Sequence, residues 1–456
     1  MTWDQGSESL AEAAFATCDE VLSLVGDRAE ALVTRAQGRS ALTRFANSRI
    51  HQNMDNDDDH VRLRVALDGG RVAQASTTRV DREGLEALVE RAIAAARLRP
   101  GDPDHPGLGG PAPLTEVDHH DDATAAAVPD DRAAIVADFV AAGPDLEAAG
   151  YCSTEHVLHV LCSTTGMRCA SRSTVAQVDG IHRASADAGP PTDGYGQRTS
   201  SRLRDLDGAR VGQVAADKAR RGADPVSLDP GTYEVVLEPK ALAALLLFPA
   251  WLGFNGKAHA EGTSFAHLGE SQFDERIDLW DDATDPRALG RAYDAEGTPK
   301  RRLDLVRSGV TVGLAHDRRS AALAGVEPTG SSIGSEAFGG YPSDLFLGDG
   351  DQSRAELVAG VQRGLLVTDL WYNRILDPKT QVVTGLTRNG LFLIEGGEVT
   401  RPVQNLRYTQ SVISALGPGR VLGLGDDAEL VSHEGGVAHV PSLRLAGFAF
   451  TGGARG

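Results

Sequence analysis

The sequence predicts an α+β fold: N-terminal α/β units of strands with flanking helices, followed by a large strand-rich C-terminal domain with few helices. Three observations predict it. Glycine is abundant (52 residues) and aromatics are only 5%, a balance that suits many turns between strands better than a helical bundle. Long helical periodicities are concentrated before residue 225, and beyond it short apolar runs alternate with turn residues. At 456 residues the chain also exceeds what one ordinary core supports, so it divides into an N-terminal α/β domain (1–105), a middle α+β domain (118–225) and a C-terminal β-rich domain (226–456).

The elements follow in order. Residues 8–24, "ESLAEAAFATCDEVLSL", place apolar side chains at helical spacing and predict an amphipathic helix. The stretches at 31–53 and 61–80 alternate as half-buried strands, with a turn at Asp68-Gly69-Gly70 in the second, and Asp81 starts a helix over "REGLEALVERAIAAARL". The Pro- and Gly-dense "PGDPDHPGLGGPAPLTE" at 100–116 reads as a linker. A helix over "DDRAAIVADFVAAG" then leads into several strands with a turn at Thr165-Gly166. "AGPPTDGYGQRTS" reads as flexible, and "GARVGQVAADKARRG" as the helix that closes the middle unit. Beyond "PGTYEVVLEP" the predicted helices are few: one over 239–253, and one behind the Ser353-x-x-Glu356 capping box.

Charge and composition narrow the function classes. A net charge of −19 repels phosphate backbones and anionic lipid heads, and no basic block offsets it, so direct nucleic-acid binding is not expected. The start lacks the basic and apolar regions of a secretory signal. The longest apolar run, Ala241–Phe254, is broken by Pro249 and falls short of the roughly 20 residues of a membrane span. A cytoplasmic protein without membrane association is expected, and its four cysteines, at spacings that fit neither a zinc knuckle nor a redox pair, read as free buried or half-buried thiols.

Local motifs supply no chemistry by themselves. Asp55, Asp57 and Asp59 start like a calcium loop, but His60 replaces its glycine and Ala66 its final glutamate, so a solvated acidic loop is expected. His119, His120, Asp121 and Asp122 read as a polar loop before a helix. "GPGRVLGLG" reads as glycine turns, and no nucleophile elbow occurs. The polar candidates that remain are His259, Glu261 and His267 in "HAEGTSFAH", where Gly262, Thr263 and Ser264 favour a surface loop over a metal-bearing helix face.

Several segments together resemble the TldD/PmbA family, metallopeptidase-related chains also described as modulators of DNA gyrase. "LTRFANSRIHQN" and "ASTTRVDREGLEALVERAI" are similar to the family's first domain. "EGTPKRRLDLVRSGVTVGLAHDRRSAALAG", "LFLGDGDQSRAELVAGVQRGLLVTDL" and "GLFLIEGGEVTRPVQNLRYTQSVISAL" resemble its third domain in order and spacing, as do "GRVLGLGDDAEL" and "PSLRLAGFAFTGG". In the family's TldD-type subunit an HExxxH helix and a Cys near the C-terminus hold zinc. By resemblance those helix positions fall here on Phe248, Pro249 and Gly253, none of which offers a side-chain lone pair, and the Cys position falls in "LVSHEGGVAHV", near His433 and Glu434, where no Cys occurs. The resemblance therefore implies the TldE (PmbA) kind of subunit: non-catalytic, without zinc of its own, and paired as a heterodimer with a zinc-bearing TldD-like subunit around a cavity for unfolded peptides, or a homodimer when isolated. Two alternatives stay open, a free-standing enzyme that reuses the cavity for metabolite or peptide tailoring, and a homodimeric peptide-binding protein. In each case the segment "ALAALLLFPAWLGFNGKAH" is expected to kink or end its helix near Pro249, which lacks an N–H.

Overall fold

The structure, a computed structural model, describes residues 5–185, 191–335, 337–433 and 436–453. The chain opens with helix α1 (Gln5–Val25), which buries Ala14, Cys18, Val21 and Val25 at the spacing of one helical face. Strands β1 (Glu30–Ala46), β2 (Arg49–Leu67) and β3 (Arg71–Thr77) follow, then helix α2 (Arg82–Arg97). The Asp81 side chain caps α2 by accepting from Gly84 N at 2.7 Å. After an irregular stretch come the short α3 (Asp122–Ala125), α4 (Pro129–Ala141), strands β4 (Glu147–Ser163), β5 (Arg168–Ala184) and β6 (Thr192–Ser200), and helix α5 (Gly208–Arg221).

The strands expected in the first and middle units form one antiparallel sheet, in the order β3-β2-β1-β4-β5-β6. β1 and β4 pair from Leu32↔Ser163 to Phe45↔Gly150, so the linker leaves the sheet and returns to it without interrupting its ladder. One face carries all the long helices. α1 and α2 pack on Val33, Leu63, Val65 and Val160, while α4 and α5 pack on Phe45, Cys152 and Val178. The opposite face meets the C-terminal region through Leu32, Leu161, Met167, Cys169 and Tyr293.

Three expectations are corrected. The segment at 31–53 is not one strand but turns back at Asn47-Ser48, whose φ values of 49° and 57° form a two-residue hairpin turn. The acidic stretch with Asp55, Asp57 and Asp59 lies within β2 rather than in a loop. Arg35 binds Asp59 with both its Nε and one terminal nitrogen, and Arg39 binds Asp55 in the same way. This half of β2 has β1 on one side and, among the described residues, no partner strand on the other, where its charges discourage association with another edge. In "AGPPTDGYGQRTS", residues 188–190 lie outside the described residues, but Thr192–Ser200 is β6. Gly194 and Gly196 serve close packing there: a Cβ would stand 2.0 Å from Ala215 O at the first and 2.4 Å from Val211 O at the second, so α5 rests directly on the strand backbone.

The C-terminal region builds two further sheets around one helix. Strand β7 (Gly231–Leu237) is near the middle of a nine-stranded mixed sheet, flanked by Leu443–Gly453 and Arg363–Val367. A six-stranded sheet contains Leu279–Asp281, Asp344–Leu347, Glu429–His433 and Gly436–Val440. Helix α6 (Pro239–Phe248) packs against both, and their side chains share one large core. The Ser353/Glu356 capping box forms as expected, each side chain bonding the other's backbone N–H. Among the described residues no helix is long and apolar enough to cross a membrane.

Cys18, Cys152, Cys162 and Cys169 are all buried and unbridged. Burial pushes the Cys152 thiol up to about 12 and the Cys169 thiol up to about 11. At pH 8 Cys152 and Cys169 should therefore react slowly with an aromatic disulfide reagent in the folded protein and rapidly in guanidinium; rapid native labelling of either would contradict this packing.

Candidate functional site

Beyond Lys240 in its first turn, helix α6 carries only apolar side chains. Leu242, Leu245, Leu246 and Phe248 are each no more than 5% exposed, as only a helix enclosed by other elements can be. Each such burial contributes roughly 1.5–3 kcal/mol. Pro239 stands in the first turn, where a missing N–H costs nothing, but Pro249 stands where the α-ladder needs a donor. The α-helix accordingly ends at Phe248, and Pro249–Gly253 forms a π-turn in which Phe254 N donates to Pro249 O at 2.7 Å. The expected end at Pro249 is observed, and the wider turn takes over where the α-helix stops.

This turn is packed with rings. Phe248, Pro249 and Gly253 are all buried. A Cβ on Gly253 would lie 2.1 Å from Cε1 of Phe265, so the ring occupies the space that any side chain at 253 would need. Phe265 meets Phe254 edge-on at 5.2 Å between centroids and Phe273 edge-on at 5.9 Å. The Ser264 hydroxyl donates to Gly253 O at 2.5 Å and accepts from Ala266 N at 2.9 Å, pinning the loop that presents Phe265. On the outer side, Trp251 and Phe338 stack at 5.9 Å and remain 37% and 44% exposed. Asn255 joins the two segments: its Oδ1 caps the following short helix, α7 (Gly256–Ala260), and its Nδ2 donates to Phe338 O at 2.5 Å.

His259, Glu261 and His267 do not assemble. All three are exposed, and Glu261 is paired with Lys257 at 2.6 Å, one helical turn away. Among the described residues no three His, Cys, Asp or Glu side chains gather as a metal would require. Of the polar residues near the C-terminus, His433 belongs to a strand and Glu434 lies outside the described residues. His119, expected in a polar loop, is instead buried between two carbonyls of the C-terminal region, Asp285 O at 3.0 Å and Gly290 O at 2.8 Å, and it anchors the linker.

A buried polar centre went unread in the sequence because its members are scattered along the chain. Lys300 Nζ lies 2.7 Å from Ser343 Oγ and 3.4 Å from Asp344 Oδ2, and the Ser343 hydroxyl lies 2.8 Å from the same carboxylate oxygen. Burial pushes the neighbouring Asp281 carboxyl up to about 7, with Asp344 adding to the rise. Burial also disfavours the Lys300 ammonium, but Asp344 and Asp281 outweigh it and hold its pKa above the usual lysine value. Serine and lysine at hydrogen-bond distance are the residue types of a Ser–Lys hydrolase, yet a lysine held protonated cannot take the serine proton. The pair ties the segment at 300 to the start of the strand Asp344–Leu347.

Two family descriptions match the chain in register with this architecture. Residues 230–452 match the PmbA/TldA metallopeptidase C-terminal domain, and residues 35–96 match domain 1 of the same family. Among solved structures, the chain is similar to TldE from Thermococcus kodakarensis, with a TM-score of 0.85 over 97% of this chain and 100% of that one, at 18% identity. It is also 25% identical over 245 residues to a metalloprotease of Synechocystis, covering 51% of this chain and 49% of that protein. It is 23% identical over 207 residues to a metalloprotease TldD homologue of Buchnera aphidicola, covering 44% and 42% respectively. The chain thus aligns with less than half the length of these two relatives. The domain matches together span more than half of the chain in the family's order, and the chain belongs to the TldD/PmbA family of metallopeptidase-related proteins.

Proposed function

We propose that this chain is the non-catalytic, TldE-type subunit of a two-subunit cytoplasmic metallopeptidase, which pairs with a zinc-bearing TldD-like subunit to enclose a cavity for unfolded peptides. The observation that carries the reading is the ring packing at Gly253. By the family resemblance Phe248, Pro249 and Gly253 take the positions of His, Glu and His. Phenyl, pyrrolidine and hydrogen offer zinc no lone pair, and the Phe265 ring fills the space a second ligand would need. The residues present do not fit the metal. The π-turn persists with apolar contents, so its geometry here rests on Pro249 and the surrounding rings. Such a subunit contributes walls: it limits which chains enter and how much water remains inside. The exposed Trp251/Phe338 stack beside the turn suits contact with an extended peptide or with the partner subunit.

Two measurements test the proposal. The purified chain should hold no stoichiometric zinc and cleave no peptide, and co-expression with a TldD-like chain from the same cell should give a heterodimer that cleaves unfolded peptides. Stoichiometric zinc together with peptide cleavage by the single chain would sink it. Packing at the turn is tested separately. Gly253→Ala should destabilise by about 1–3 kcal/mol in urea unfolding. The same substitution in a Phe265→Ala background should cost much less, because the obstructing ring is gone. Equal costs in the two backgrounds would show that Phe265 is not what closes this position.

A further inference from the structure

The helix-free face of the N-terminal sheet and the loops at 289–295 and 332–334 enclose a cavity of about 430 Å³, away from the π-turn. Its charge is opposite to that of the molecule. The chain carries 64 acidic against 45 basic residues, yet four basic side chains line this cavity (Arg62, Arg64, Arg291 and Lys300) against two acidic ones, Asp294 and Asp344. Both acids are already engaged. Asp344 faces Lys300, and Asp294 accepts the backbone N–H groups of Glu296, Thr298 and Ser332 at 2.8–2.9 Å. Arg64 is held by Glu296 at 2.9 Å. Among the described residues Arg62 and Arg291 make no ion pair. Arg62 is exposed, and half-buried Arg291 lies 5.6 Å from the centroid of the Tyr293 ring.

Both guanidinium groups bear on one place. The Tyr293 hydroxyl bonds His159 through its backbone oxygen at 2.9 Å and its Nδ1 at 3.0 Å. Burial, followed by the fields of Arg291, His60 and Arg62, holds this imidazole well below the ordinary histidine pKa, so it stays neutral and adds no charge. Among the described residues the face is left with two guanidinium groups that make no ion pair, in a partly enclosed site with the apolar walls of Leu32, Val157, Leu289 and Ile333. Planar, forked donors match a carboxylate, and an exposed and a half-buried arginine on one cavity are both stabilised when such a group enters. A phosphate site draws more heavily on backbone N–H groups, and at this wall those of Ser332 and Gly334 are already taken, by Asp294 and by the Ser332 hydroxyl.

We propose that this cavity is a binding site for a small carboxylate-bearing ligand, held by Arg62 and Arg291 and supplied either by a free peptide C-terminus or by a small organic acid. The inference stands on the isolated chain and does not depend on the subunit reading.

Calorimetric titration of the full chain at low salt, with N-acetyl-trialanine, its C-terminal amide, succinate and inorganic phosphate, tests it. Saturable binding of the peptide acid with the amide at least tenfold weaker identifies a peptide terminus. Binding of succinate without the peptide acid identifies a small acid and leaves the carboxylate site standing. In either case Arg62→Ala and Arg291→Ala should each weaken binding about tenfold, the scale of one charge-assisted hydrogen bond. Arg62→Lys, on an exposed side chain, should retain part of the affinity and carries the test if Arg291→Ala fails to fold. Equal binding of acid and amide, phosphate bound as tightly as the carboxylates, arginine variants that bind like the parent, or no saturable binding at millimolar concentration would each overturn the proposal.

Discussion

Burial of the segment from Ala241 to Phe254 governs how the C-terminal region is built. A helix that is apolar beyond its first turn is stable in water only if it is largely enclosed, and two sheets supply the enclosure. The nine-stranded sheet reaches α6 through β7, which runs directly into it, and the six-stranded sheet closes from the other side with Val431, Ala438 and Val440. Strands that are far apart in the chain, such as Gly231–Leu237 and Arg363–Val367, become neighbours because both must cover the same helix. Loss of this burial would leave both sheets with exposed apolar faces.

The same enclosure explains why the π-turn survives without polar contents. Pro249 withholds one N–H, the backbone finds a longer bond from Phe254, and Phe254, Phe265 and Phe273 fill the volume around the widened turn. A glycine at 253 is then a steric requirement of the packing, not a point of flexibility.

The N-terminal sheet divides its labour by face. The apolar residues of one face receive four helices. The other face carries Thr34, Arg62, Arg64 and His159, residues that a solvated sheet would also show, and it is covered by the C-terminal loops instead. Cross-region ties hold this contact: Arg64 with Glu296, Arg319 with Asp102, and the buried His119 ring between two backbone carbonyls. Lys300, Ser343 and Asp344 line the same cavity, so a polar part of the interior lies where the two regions meet.

What the sequence by itself determined was local or periodic. The faces of α1 and α2, the Asp81 cap, the Ser353/Glu356 box, the end of α6 at Pro249 and the strand-rich character of the C-terminal half all follow from interactions within a few residues. The family was legible because colinear segments carry information that no single motif does. Tertiary structure alone decided the rest. Only pairing across distant strands turned the acidic run at 55–59 into part of β2 and the glycine-rich run after Pro191 into β6. Only folding placed His119 in the interior and left His259, Glu261 and His267 apart on the surface. Phe265 over Gly253, and Arg62 and Arg291 on one cavity, are likewise matters of approach between segments. The physical reason is one of range: capping and periodicity act over a few residues and can be read along the chain, whereas ring packing, charge compensation and burial depend on which surfaces meet.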